Sequence, residues 1–149
     1  MAARFPFIEH VGLRFEPPRP GWSRCTLELA PVHLNGNGVV HGGAIFTLAD
    51  TGMGAALQPS LAEGERCATI EVKINYFRPV TEGTLVCTTE LVHRGRSVAN
   101  LEATVRLGEQ IVAKANGSFS IFRPRGDAAP GRMVHPCCRR RAGCLWPLA

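Results

Sequence analysis

The run from His41 to Leu57 constrains the fold of this 149-residue chain more than any other stretch. It is entered through a Gly-rich turn, Asn35-Gly-Asn-Gly-Val-Val-His-Gly-Gly43, and reads as one helix. Ile45, Leu48, Ala49, Gly52 and Ala56 recur at helical spacing and form one apolar stripe, while Phe46, Met53, Gly54 and Leu57 form a second. A helix that is apolar nearly all round is expected to be buried on all sides. Yet between Gly42 and Ala62 stands one ionisable residue, Asp50. A mid-helix carboxylate among apolar neighbours is costly unless it is paired, hydrogen-bonded or protonated. Aspartate is also a mediocre helix former. Local rules would not place it there, so a functional cause is expected.

The rest of the chain supplies strands. Phe7 to His10 reads as a short helical turn and Val11 to Phe15 as a short strand. Trp22 to Leu29 alternates polar and apolar residues as a strand does. Pro31 to Gly38 is too rich in Pro, Asn and Gly for regular structure, and the long helix stops before Pro59. After the polar loop Ser60 to Glu65, the period changes to two. Ile70, Val72, Ile74 and Tyr76 are expected to face one way, with Glu71, Lys73 and Asn75 opposite, in a half-buried strand ended by Arg78-Pro79. Thr84 to Val92, Val98 to Leu107 and Gln110 to Phe122 complete the set. They are joined by a turn at His93–Ser97 and a hairpin at Gly108-Glu109, with a bulge expected at Asn116-Gly117. Short connections imply an antiparallel meander. One buried helix on such a sheet is an α+β architecture. The sheet leaves the helix's second stripe uncovered, so self-association is expected.

Charge and cysteine divide the chain into two parts. Residues 1–122 hold eleven basic and eleven acidic side chains. The segment 123–149 holds six arginines and Asp127, and therefore the whole net charge of +5. We expect a folded domain over 1–122 and a disordered Arg/Pro/Gly/Cys-rich tail over 123–149. The neutral body gives nucleic-acid binding no electrostatic support. Cys25, Cys67 and Cys87 read as small buried hydrophobes. His135, Cys137, Cys138 and Cys144 fit no standard zinc spacing, and no metal is expected. There is no apolar run of 18 residues and no signal-like N-terminal stretch, so a cytoplasmic protein without a membrane partner is expected. Ser60, Ser97, Ser118 and Ser120 lack the nucleophile-elbow pattern, and no P-loop is present.

The segment Asn35-Gly-Asn-Gly-Val-Val-His-Gly-Gly-Ala-Ile-Phe-Thr-Leu-Ala-Asp50 resembles the signature of hotdog-fold acyl-CoA thioesterases of the PaaI (phenylacetate-degradation) type. Val72-Lys-Ile-Asn-Tyr-Phe-Arg-Pro79, Gly95-Arg-Ser97 and Ala113-Lys-Ala-Asn-Gly-Ser-Phe119 extend the likeness, which covers roughly residues 8–122. The resemblance implies a hotdog fold, a long central helix wrapped by a curved antiparallel β-sheet. It also implies a homodimer, with dimers pairing into tetramers, and an active site between protomers. Asp50 matches the acidic nucleophile or general base, and Asn35 the residue that positions the thioester or water. Gly42 matches the helix-start N–H that binds the thioester oxygen, with His41 beside it. Thr69 matches a hydroxyl that orients the water. The expected substrate is an acyl-CoA with an aromatic or medium-sized acyl group; coenzyme A is part of the substrate and no cofactor is needed. Arg94, Arg96 and Ser97 in the turn are expected to hold the coenzyme A phosphates.

Helix physics agrees with that reading. N–H groups at the helix start, around Gly42 and Gly43, carry partial positive charge and could stabilise an oxyanion by about 3–4 kcal/mol. Asp50 lies eight residues beyond Gly42, roughly 12 Å along the axis. One helix does not easily bring both groups to one carbonyl; two antiparallel helices from a dimer do. The alternatives are a hotdog protein that binds acyl-CoA or another ligand without turning it over, and a hotdog dehydratase. A further expectation is that the arginine-rich tail tethers the protein to acidic partners.

Overall fold

The computed structural model describes residues 5–124. The segment 125–149, with its expected disorder, its expected tethering role and its His and Cys residues, lies outside them. Helix α1 (Pro6–Val11) begins with a proline, whose missing N–H costs nothing at a helix start, and ends at Gly12 in the left-handed region (φ 81°). Strands β1 (Leu13–Phe15) and β2 (Trp22–Glu28) follow. The segment expected to be irregular contains one 3-10 turn, Pro31–His33, which proline at its first position favours. Helix α2 (Gly42–Leu57) is the expected long helix, and a second 3-10 turn, Gln58–Ser60, ends it at Pro59. Strands β3 (Arg66–Tyr76), β4 (Thr84–Arg94), β5 (Val98–Leu107) and β6 (Gln110–Phe122) complete the fold. Strand β4 runs two residues further than expected and confines the turn to 95–97.

The six strands form one curled antiparallel sheet in the order β1-β2-β4-β5-β6-β3, wrapped about α2 as a half barrel. The simple meander expected from the sequence holds only for β4-β5-β6. Strand β3 pairs with β6 at the far edge, because α2 packs across the inner face and returns the chain on the other side. A period of two marks a strand but does not name its neighbour.

The core is the contact between α2 and the sheet. Leu48, Ala49, Met53, Ala56 and Leu57 meet Leu27, Leu85, Leu101, Val105 and Phe119, all buried. Ser23 donates its hydroxyl to the Gly52 carbonyl at 2.7 Å and so ties β2 to the middle of the helix. Cys25 and Cys87 face each other across β2 and β4, both free and buried, while Cys67 is half-buried. A hydrogen bond with Cys87, and then burial, push the Cys25 thiol upward, so it behaves as a small hydrophobe.

Three expectations need correction. First, the bulges are not at Asn116-Gly117, which stays in register with both neighbouring strands. They fall at Ile70 on β3, Val92 on β4 and Val112 on β6. Gly117 is there for a close approach: a Cβ on it would lie 2.8 Å from the Met53 sulfur and 3.1 Å from the Glu71 carbonyl oxygen. Second, Ile70 does not share a face with Val72 and Ile74. As the extra residue of the bulge it turns outward and is 58% exposed. Third, the second stripe of α2 is partly covered: Met53 and Leu57 are buried, while Phe46, Gly54 and the neighbouring Thr47 are half-buried and Gly43 is exposed.

Candidate active site

The site is built on the open face of α2. Positions 43, 47, 50 and 54 fall on one side of a helix, three or four residues apart, and all four look away from the buried stripe. Asp50 is half-buried here, at the middle of the helix. Its Oδ1 accepts a hydrogen bond from the Thr69 hydroxyl at 2.9 Å, and among the described residues Oδ2 has no partner. Thr69 reaches it because of the bulge. Without an extra residue at Ile70, Thr69 and Val72 would point to opposite faces of β3; with it, both face the helix.

The helix start is held from two directions. His41 is the N-cap (φ −65°, ψ 133°), and its Nδ1 accepts the Gly43 N–H at 2.9 Å. That bond fixes the neutral ring's proton on Nε2 and spends the Gly43 N–H, so the expectation that Gly43 offers a free donor to substrate is corrected. The Gly42 N–H has no partner among the described residues and is the open donor at this helix end. Tyr76, near the end of β3, donates its hydroxyl to the Gly42 carbonyl at 3.0 Å. A Cβ on Gly42 would lie 3.3 Å from the Tyr76 ring, which is why the residue here is so small. Desolvation raises the Tyr76 phenol, so it stays a hydrogen-bond donor. Tyr76 was legible in the sequence only as one more member of an alternating strand. Its function as a clamp depends on the register of β3 against α2.

Two hollows flank the helix start. One, of about 380 Å³, lies between α1 and α2 and includes Phe7, Val32, Gly43 and Thr47. The other, of about 300 Å³, lies against Gly42, Ile45, Tyr76 and Arg78. Sequence reasoning did not single out Arg78, although it is the cation beside Gly42.

The other expected site residues lie elsewhere. Asn35 turns its side chain into its own loop, where Oδ1 accepts the N–H groups of Asn37 at 2.8 Å and Val39 at 3.4 Å. Its amide NH2 has no partner among the described residues, and no described contact joins it to Asp50. Arg94 is spent on protein partners: it pairs with Glu65 at 2.6 Å and donates to the Ser60 and Gly95 carbonyls. The Ala62 N–H, and then Arg94 and Arg123, hold the Glu65 carboxyl below its ordinary range. Arg94 therefore pins the 60–65 loop to the β4–β5 turn and is not a free phosphate ligand. The Arg96 and Ser97 side chains have no hydrogen-bond partner among the described residues.

Comparison with known proteins decides the family. The sequence pattern of the thioesterase superfamily matches residues 37–114, more than half of the chain. The chain belongs to the thioesterase superfamily. A conserved protein from Pseudomonas aeruginosa has a similar structure, with a TM-score of 0.77 and 37% identity over 80% of this chain and 95% of that one. A mutant of the phenylacetic acid degradation protein PaaI from Thermus thermophilus gives a TM-score of 0.73 and 26% identity over 78% and 98%. A Halobacterium salinarum protein whose name provisionally assigns it as an esterase is 34% identical over 128 residues, which is 78% of this chain and 84% of its own. This thioesterase-superfamily chain therefore has the hotdog fold and a PaaI-like character, and it belongs among the hydrolases. Among the described residues no helix is long and apolar enough to cross a membrane.

Proposed function

We propose that the chain hydrolyses acyl-CoA thioesters with an aromatic or medium-sized acyl group. The observation that carries this reading is the state of Asp50: a carboxylate held by one hydroxyl, with its second oxygen free, on the open face of the helix whose Gly42 N–H is unpaired. Asp50 takes a proton from water as that water adds to the thioester carbonyl. The Gly42 N–H donates to the oxygen as it becomes negative. The tetrahedral intermediate then collapses, the carbon–sulfur bond breaks, and coenzyme A leaves as a thiolate that takes up the proton. A carboxylate that attacks the carbonyl itself would give an anhydride, which water then opens to the same products. Thr69 spends its proton on Asp50 and so orients the base rather than the water. Arg96 and Ser97 are the members of the expected phosphate clamp left for coenzyme A, and Asn35 keeps its amide NH2 for a thioester or water.

Asp50 and Gly42 stand more than two turns apart on α2. A second copy with its helix antiparallel brings one chain's Asp50 to the other's Gly42, and we take the working unit as a homodimer. The free edge of β3, eleven residues long with Ile70 exposed, supports sheet-to-sheet pairing.

A thiol-release assay over a panel of acyl-CoA esters tests the reading. Turnover that falls at least about a hundredfold in Asp50→Asn, with the oligomer intact, is the expected result. Tight binding of every ester without thiol release would make the protein a binder instead.

A further inference from the structure

We propose that Tyr76 is a positioning residue for the Gly42 N–H: its hydroxyl fixes the backbone on which that donor stands. The inference rests on the hydrolytic reading above and adds a residue that acts without touching the thioester. Gly42 sits between two peptide planes, and each plane is rigid. The plane after it carries the Gly42 carbonyl and the Gly43 N–H. That carbonyl accepts the Tyr76 hydroxyl at 3.0 Å, and the N–H donates to His41 Nδ1 at 2.9 Å, so the plane is held at both ends. The plane before it carries the His41 carbonyl and the Gly42 N–H. The His41 carbonyl accepts the Ala44 N–H at 2.9 Å, which leaves the Gly42 N–H as the open end.

The two planes meet at the Gly42 Cα, where glycine permits more backbone conformations than any other residue. Tyr76 crowds a side chain there, because a Cβ would stand 3.3 Å from its ring. The residue that favours glycine thus also supplies the restraint that glycine's freedom calls for. An oxyanion donor stabilises developing charge only if it is aimed beforehand. Desolvation raises the Tyr76 phenol, so it keeps its proton and remains a donor. Thr69, on the same strand, donates to Asp50 at 2.9 Å. Strand β3 therefore holds the base through one hydroxyl and the donor's backbone through another. The bulge at Ile70 is what turns both toward α2.

Tyr76 is the chain's single tyrosine, so a ring-fluorinated tyrosine incorporated during expression of the full chain alters this site alone. Fluorine lowers the phenol's pKa with little change in ring size, and absorbance titration locates the ionisation. The hydroxyl donates only while protonated. In the fluorinated protein, kcat for an acyl-CoA ester should therefore fall about fivefold or more as pH rises through that ionisation, with KM within about twofold. The charged or titratable groups around the ring are Arg78 in the same hollow, His41 on the same peptide plane, and Lys114 beside the strand partner Ala113. Tyr76→Phe leaves all three in place and has no phenol, so it should show the lower kcat without the alkaline fall. A kcat that ignores the ionisation would make the hydroxyl a strut of the fold, and a rise in KM with kcat unchanged would make it a substrate contact. Either result overturns the proposal. Should the unmodified protein release no thiol, the 15N order parameter of the Gly42 amide separates the two ideas. A value of about 0.85 that falls below about 0.6 in Tyr76→Phe, or in the fluorinated protein above its phenol ionisation, keeps the positioning role and removes hydrolysis. An unchanged value removes both.

Discussion

In the proposed mechanism Asp50 is the base because of what its carboxylate meets and what it does not. One oxygen is bonded to Thr69 and the other is open. Asn at this position keeps the shape and the Thr69 contact but not the basicity, which is why Asp50→Asn is the sharpest single test. Thr69 donates to Asp50, and in the proposed mechanism it acts through that carboxylate. Hydrogen bonds to charged groups are worth about 1.5–3 kcal/mol, so Thr69→Val should lower kcat about tenfold or more with little change in KM, and Thr69→Ser should restore it; steady-state kinetics of the three proteins checks this. Asp50 was legible in the sequence because it breaks every local rule for a buried helix. Asn35 matched by spacing, but its side-chain oxygen serves its own turn. The Gly43 N–H looked equally available on paper, and only the N-cap geometry of His41 shows that it is spent. Such assignments depend on rotamers, which a sequence does not display.

At the scale of elements, the helix and most strands follow from periodicity, and their burial agrees with it along β2, β4 and β5. Strand β3 is where periodicity failed. Counting by twos from Ile70 puts Thr69 on the outer face, and the bulge at Ile70 reverses this. A bulge leaves no signature in composition, because the inserted residue is an ordinary β-branched one. Deleting Ile70 should restore regular alternation, part Thr69 from Asp50, and abolish turnover more completely than Thr69→Val does. Gly117 misled in the opposite direction. It reads as a bulge residue, yet it is the seat of Met53. Gly117→Ala should destabilise the fold by about 1–3 kcal/mol through overpacking. Met53→Ala should reduce that penalty, so the double variant should be more stable than the sum of the two single effects, as measured by urea unfolding.

At the scale of the whole molecule, the proposed pairing of Asp50 with the Gly42 N–H makes a geometric demand that one chain does not meet. A helix of 16 residues, rising about 1.5 Å per residue, keeps its mid-point carboxylate about 12 Å from its first N–H. If the carbonyl sits at the Gly42 of one protomer and the Asp50 of the other, defects in these two groups should complement each other. Gly42→Pro suits the first half of the test. Proline is favoured at the first helical position, His41 already has the extended backbone that a following proline requires, and the substitution deletes the N–H donor; its Cβ, 3.3 Å from the exposed Tyr76 ring, asks that ring to shift by a few tenths of an ångström, so oligomeric mass and Tm are measured alongside. Alone it should cost about a hundred- to a thousandfold in kcat. Homodimers of Asp50→Asn and of Gly42→Pro should each be inactive. Unfolded together and refolded at equal amounts, they should regain about a quarter of the normal rate. Half of the dimers are then mixed, and each mixed dimer holds one site with both defects and one with neither. A site contained within a single chain would leave every site of the mixed dimer with one defect, and co-refolding would recover nothing. The recovered rate therefore reports directly on whether catalysis crosses the subunit boundary.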